Sequence, residues 1–313
     1  MSHFSSSGNH KSSKNESTHL SENKWKLVKK IFQISNLHFP KEPINKISLP
    51  LKIGSNVSVK QYNKFLECKV PRGYKYQLQD NGDVLIIDMS SNEHSELVSW
   101  LTIIFNTYNG GIPLNRPIRV GVHPSPARNG EKIAPDLAIA PSLLYIPRSG
   151  VRPSDTNGNP HARIVVEIGN QQSNETWIEK CQTWKREPYV RYVFGLKFYK
   201  PKKTRDSHGW RHRAMTAILY TQGENDREWD FGTVPKEARI FSNCPIPSTG
   251  CIAPGLGAFT VNIPVIQVFY NPPIPVPARY TPAYPNGVNI PRDANFTIDL
   301  YLIQQEVLRV QKN

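Results

Sequence analysis

Two carboxylates in this chain stand where a charge is costly. Asp136 opens the apolar run Pro135-Asp136-Leu137-Ala138-Ile139-Ala140, and Glu167 closes the β-branched run Arg163-Ile164-Val165-Val166-Glu167-Ile168. A buried carboxylate must be paired, hydrogen-bonded or bound to a cation. Oxygen donors from two strand ends are what a hard divalent ion takes. Asp136, Glu167 and the backbone carbonyl of Ile168 would make a small acidic cradle for Mg²⁺, with Mn²⁺ as a substitute. An ion held there polarises a phosphodiester and lowers the pKa of a bound water. A lysine beside it orients that water and offsets charge building on the phosphoryl oxygens.

Helical arithmetic selects Lys180 for that role. With Trp177 at zero and about 100° per residue, Cys181 and Trp184 fall near +40° and −20°, and Lys180 near −60°. Lys180 therefore borders the apolar stripe, whereas Lys185, at about +80°, is disfavoured. Each feature alone also has an ordinary reading. Pro-Asp arises by chance in a chain with 27 prolines, a strand-end Glu can face water, and a flanking lysine is often a snorkelling surface residue. Order strengthens the set, because strand-Asp, strand-Glu and helix-Lys follow one another.

The elements needed to position these groups are visible as patterns. Val57–Leu66 carries Val59, Tyr62, Phe65 and Leu66 at helical spacing. Asp80-Asn81-Gly82-Asp83 joins the strand-like runs 74–78 and 84–89 into an expected hairpin. Residues 93–108 read as a helix buried around most of its circumference. Strands are expected at 119–122, 136–140 and 164–168, then a helix over 174–187, capped by Ser173 or Asn174 and stopped by Pro188. Strands over 189–199 and 214–220 flank a basic turn. Eleven prolines between 245 and 291 exclude long helices there. A last strand is expected over 296–302, turning helical towards 304–310.

At 313 residues the chain can bury a sizeable core, and 38% of it is aliphatic or aromatic. Residues 1–23, rich in Ser, Asn, His and Lys, read as a disordered tail. Residues 24–235 read as the main domain, and 236–313 as a Pro-rich extension whose final strand packs on the core. Net charge is +14, from 39 Lys and Arg against 25 Asp and Glu, which suits a polyanionic partner or a solvated basic surface. The four cysteines lack metal-ligand spacing. With no apolar leader or long apolar stretch, an intracellular protein without membrane contact is expected.

Between about Val57 and Tyr199 the chain resembles the putative restriction endonuclease family of the PD-(D/E)XK, restriction-endonuclease-like superfamily. The likeness rests on Val59-Lys60-Gln61-Tyr62, Gly73-Tyr74-Lys75-Tyr76-Gln77-Leu78, Asp80-Asn81-Gly82, and Met89-Ser90-Ser91 followed by His94. It continues through Ala134-Pro135-Asp136-Leu137, Val165-Val166-Glu167-Ile168, Lys180 and residues 189–194. The resemblance implies an α/β fold with a mixed central sheet flanked by helices, Mg²⁺ dependence, and hydrolysis of phosphodiester bonds in nucleic acid, DNA before RNA. It makes Asp136, Glu167 and Lys180 catalytic, with Gln77 and His94 as accessory candidates, and leaves a homodimer open. In two places the chain departs from the family. Gly169 stands where the superfamily's lysine is usual, and Gln77 where a Glu is common; a nucleic-acid-binding module with weakened catalysis is the alternative.

Lys197, Lys200, Lys202, Lys203, Arg205, Arg211 and Arg213 surround one acid, Asp206, with Tyr199, Trp210, His208 and His212 interspersed. Such a turn suits phosphate contacts without sequence reading, or is a solvated hairpin tip. Lys202-Lys203-Thr204-Arg205 also resembles a nuclear-import signal, so the nucleus is expected in a eukaryotic host and the cytoplasm otherwise.

Overall fold

The computed structural model describes residues 48–67, 73–89, 91–111, 114–122, 125–126, 132–146, 160–237, 248–273 and 276–311, with 37, 38, 40 and 44. The expected tail, Cys68, Cys244, Arg148 and Arg152 lie outside these residues. The chain opens with β1 (Leu51–Gly54), α1 (Val59–Glu67), β2 (Tyr74–Leu78) and β3 (Val84–Met89). There follow α2 (Asn92–Asn106), β4 (Ile118–Gly121), the two-residue strands β5 (Ser125–Pro126) and β6 (Lys132–Ile133), and β7 (Leu137–Pro141). Next come β8 (Ile164–Gly169), α3 (Asn174–Lys185), β9 (Tyr192–Phe198), β10 (Ala214–Thr221) and β11 (Arg227–Gly232). The last elements are β12 (Thr260–Pro264), β13 (Asn295–Asp299) and α4 (Leu300–Arg309).

Six strands form the central sheet in the order β11-β10-β9-β8-β7-β4. Only β8 and β9 run parallel, and the other neighbours are antiparallel. The fold is thus a mixed sheet flanked by helices, the α/β class that the resemblance implies. Period-two alternation divides the side chains of β8 between its faces. Ile164, Val166 and Ile168 join one buried cluster with α2, α4 and the β12–β13 pair. Val165 joins another, under Trp177, Cys181 and Trp184 of α3. Glu167 shares the parity of Val165 and Asp136 that of Ala138, so both carboxylates emerge on the α3 face.

A smaller sheet, β1-β3-β2, has its own core with α1, built from Tyr62, Phe65, Val84 and Ile86. Tyr74, Tyr76 and Leu78 pack against that core, which turns Lys75 and Gln77 to the opposite side of β2.

Two expectations are corrected. Helix α2 is apolar along one stripe (Leu97, Leu101, Phe105), while Ile103 is 70% exposed; the outer face of α2 is uncovered, so the apolar run does not mean burial all round. The last strand stops at Asp299, whose carboxylate accepts a hydrogen bond from the Tyr301 N–H and starts α4 three residues before the expected strand end.

Candidate active site at the β7–β8 edge

Antiparallel pairing explains how residues 31 positions apart meet. Leu137 lies opposite Val166, and the Asp136 N–H donates to the Val166 carbonyl at 3.1 Å. The start of β7 therefore lies beside the end of β8. The Asp136 carboxylate caps that end, since its Oδ2 accepts the Ile168 N–H at 2.7 Å. Helix α3 then folds back over the same strands, with Ser173 capping its N-terminus. Its stripe of Trp177, Cys181 and Trp184 is buried, as the helical arithmetic requires, and carries Lys180 over the carboxylates. Lys185 points elsewhere and pairs with Asp226 at 2.6 Å.

The structure brings Asp136, Glu167, Ile168, Lys180 and His94 together. Lys180 Nζ lies 2.9 Å from Glu167 Oε2, and His94 Nε2 lies 2.9 Å from Asp136 Oδ1, an acceptor that puts the ring proton on Nε2. His94 sits in the first turn of α2, where the Ser91 hydroxyl accepts its backbone N–H. Gln77 lines an adjoining cleft of about 690 Å³ beside Lys180. Sequence reasoning missed two groups. Trp184 Nε1 donates to Glu167 Oε1 at 2.6 Å within the core. Lys75 Nζ donates to Asp136 Oδ2 at 2.7 Å and to the Ile168 carbonyl at 3.0 Å. Strand parity was the one available signal for Lys75, because its tyrosine neighbours take the apolar face.

Electrostatics separates the two carboxylates. Burial pushes the pKa of Asp136 up, but Lys75 and His94 outweigh it and hold the carboxyl well below the usual carboxylate range. Burial also raises Glu167, and here it prevails over Lys180, with repulsion from Asp136 adding to it. Lys180 would be depressed by burial, yet Glu167 and Asp136 keep it above its ordinary value. Asp136 and the two ammonium groups thus line a cleft of about 780 Å³, bordered also by Tyr62, Tyr74 and Val122, with Glu167 buried behind them.

The donors fit a hard divalent cation. Mg²⁺ takes one or two carboxylates and keeps several waters, and the two acids with the Ile168 carbonyl supply that set. Among the described residues no group of three or more His, Cys, Asp or Glu could hold a metal ion, so the donor set here is two carboxylates and one carbonyl. A cation already touches two of the oxygens, namely the Lys75 ammonium.

Gly169 has a local cause. A Cβ there would lie 2.8 Å from Trp177 Cδ1 and 3.0 Å from Gln172 Nε2. No lysine fits at that position beneath α3.

The basic run divides. Lys200, Lys203 and Arg205 are exposed, and Lys202 and Arg211 half-buried. Lys197 and Arg213 are buried, 4% and 3% exposed, so their expected place on a solvent-facing turn is corrected. Lys197 donates to the Gln172 carbonyl at 2.5 Å. Arg213 donates to Asn170 Oδ1 and the Tyr199 carbonyl, each at 2.7 Å. Asn170 in turn donates to the Ser91 hydroxyl at 2.7 Å. These groups tie the ends of β8 and β9 to the start of α2, and so help to fix His94.

No family model matches this chain, and no curated protein matches it at significance. It is similar to the crystal structure of a putative nuclease belonging to DUF820 from Anabaena variabilis ATCC 29413, at 15% identity and a TM-score of 0.37, over 62% of this chain and 90% of that one. A likeness this distant says nothing about the chemistry of the site.

Proposed function

We propose that this protein is a metal-dependent nuclease-like hydrolase that cleaves phosphodiester bonds in nucleic acid, with DNA the expected substrate. One observation carries the reading: Asp136, Glu167, the Ile168 carbonyl and Lys180 converge where the start of β7 meets the end of β8, and Asp136 and Lys180 of that set line a cleft. Asp136, Glu167 and Ile168 would hold Mg²⁺ or Mn²⁺. When bound, the ion supplies Lewis-acid polarisation and a water of lowered pKa. Lys180, charged and partly exposed, stands against phosphoryl oxygens that gain charge in the transition state. His94 orients Asp136, and Trp184 orients Glu167.

The basic turn supports a polyanionic substrate by its position. Parallel pairing of β8 and β9, with Gly169 opposite Lys197, sets the turn beyond the same edge of the sheet as the site. Its exposed cations would hold phosphates without reading sequence.

Asp136→Asn should lower Mg²⁺-dependent nicking of plasmid DNA by about 10²-fold or more, with an unchanged circular-dichroism spectrum and a lower Tm, because Lys75 and His94 lose their carboxylate partner. Unchanged nicking removes Asp136 from the mechanism. Lys75 favours a second reading, a nucleic-acid-binding module without catalysis, because its ammonium already neutralises Asp136. Salt-sensitive binding without nicking in Mg²⁺ or Mn²⁺ would select that reading.

A further inference from the structure

We propose that Lys75 is an intramolecular competitor for the metal: its ammonium rests between Asp136 and the Ile168 carbonyl and must leave before a divalent ion can bind. The inference deepens the metal-dependent reading and rests on it. The ammonium contacts Asp136 Oδ2 at 2.7 Å and the Ile168 oxygen at 3.0 Å, two of the three groups assigned to the ion. Mg²⁺ binds such oxygens at about 2.0–2.1 Å, so one pair of oxygens cannot hold both cations.

The placement of Lys75 gives it somewhere to go. It projects from β2 of the small sheet and keeps 18% of its side chain exposed. Tyr74 and Tyr76, on either side, are fixed against the small core. Its stem can therefore swing along the wall of the 780 Å³ cleft that it lines with His94 and Lys180, while the strand stays in place. The site then has two states. In the first, the Lys75 and Lys180 ammonium groups balance two carboxylates. In the second, a divalent ion takes the place of Lys75 beside Lys180, and Lys75 is released into the cleft, where a phosphate would meet it.

The test is Mn²⁺ binding, measured by electron paramagnetic resonance on the full chain without nucleic acid. Lys75→Met should bind Mn²⁺ on the order of tenfold tighter than the wild type, and adding Asp136→Asn should abolish that gain. The same variant should melt lower in EDTA, because Asp136 loses its ammonium partner, and should gain more in Tm from Mn²⁺. Lys75→Gln, which keeps a polar group, should behave in the same way. A variant that folds only with Mn²⁺ supports the proposal. Failure of both variants to fold with or without Mn²⁺ overturns it, since Lys75 is then a fixed structural partner. Equal or weaker Mn²⁺ binding by folded variants also overturns it and leaves the metal-dependent reading standing. Binding by neither protein overturns both. Tightened binding without any nicking supports the role of Lys75 and removes the nuclease reading alone.

Discussion

Lys197 lies three residues before the exposed part of the basic turn, yet its amine is buried against the Gln172 carbonyl. Burial lowers its pKa from 10.5 to about 8, with Asp88 opposing the shift and Arg213 reinforcing it. Between those values the unfolded chain holds the proton more tightly than the folded one, so this group makes stability rise with pH through that window. Below about pH 8 both states are charged and the burial cost is fully present. The stability of the wild type relative to Lys197→Met should therefore grow from pH 7.5 to 10.5, with a ceiling of about 3 kcal/mol at ~1.4 kcal/mol per pH unit. Paired chemical denaturations across that range check it, and a flat difference would refute the shift. Lys197 also shows where reading residues in sequence stops. Lys180 was legible because helical angle alone settles its side. Angle and parity give the side on which Trp184 and Lys75 emerge, but their partners, like that of Lys197, depend on which element docks opposite. The runs around Asp136 and Glu167 were legible because a charge among β-branched residues stands out locally.

The packing of α3 on β8 and β9 accounts for one departure from the family, Gly169. Gly169 and Gly195 both lie beneath Trp177, and a Cβ on either would stand 2.8 Å from its ring. Trp177 is 1% exposed and cannot swing away, so the strain falls on the helix that carries Lys180. Gly169→Ala should cost about 1–3 kcal/mol by overpacking, read as a lower denaturation midpoint. Gly169→Lys, which restores the superfamily's usual residue, should destabilise further without raising nicking. A stable and more active Gly169→Lys would mean that α3 moves freely over the sheet. Elements with clean periodicity were legible in the same way: the 74–78 and 84–89 hairpin strands fall at the expected residues, and α3 begins at its Ser173 cap. Strands β11 and β12 were not. The Arg-Glu-Trp-Asp start of β11 is charged because it is an edge strand with an exposed outer half, and β12 ends in a proline beside its one partner, β13.

The described residues of the proline-rich extension belong to the main core of the molecule, and not its final strand alone. Val261, Phe269, Phe296, Ile303 and Val307 join α2 and the inner face of the sheet in one buried cluster. Arg163 at the base of β8 anchors it by donating to the Tyr270 carbonyl at 2.5 Å. With that face of the sheet covered, the cleft with Asp136 and the basic turn lie towards the ends of β8 and β9. Net charge alone could not make this assignment, because +14 over 313 residues fits any basic surface. Position can: Lys200, Lys203 and Arg205 are exposed beyond that edge, whereas Lys197 and Arg213 serve inside. If nucleic acid lies across the edge, each exposed cation releases about one counterion on binding. Neutralising Lys200, Lys203 and Arg205 together should then reduce the slope of log affinity against log salt by up to about 3, measured by anisotropy of a labelled duplex. Lys197→Met should leave the slope unchanged, because a buried amine meets no phosphate. A slope indifferent to the triple variant would mean that the polyanion contacts another face, and the cleft would then have to bind its substrate without help from the turn.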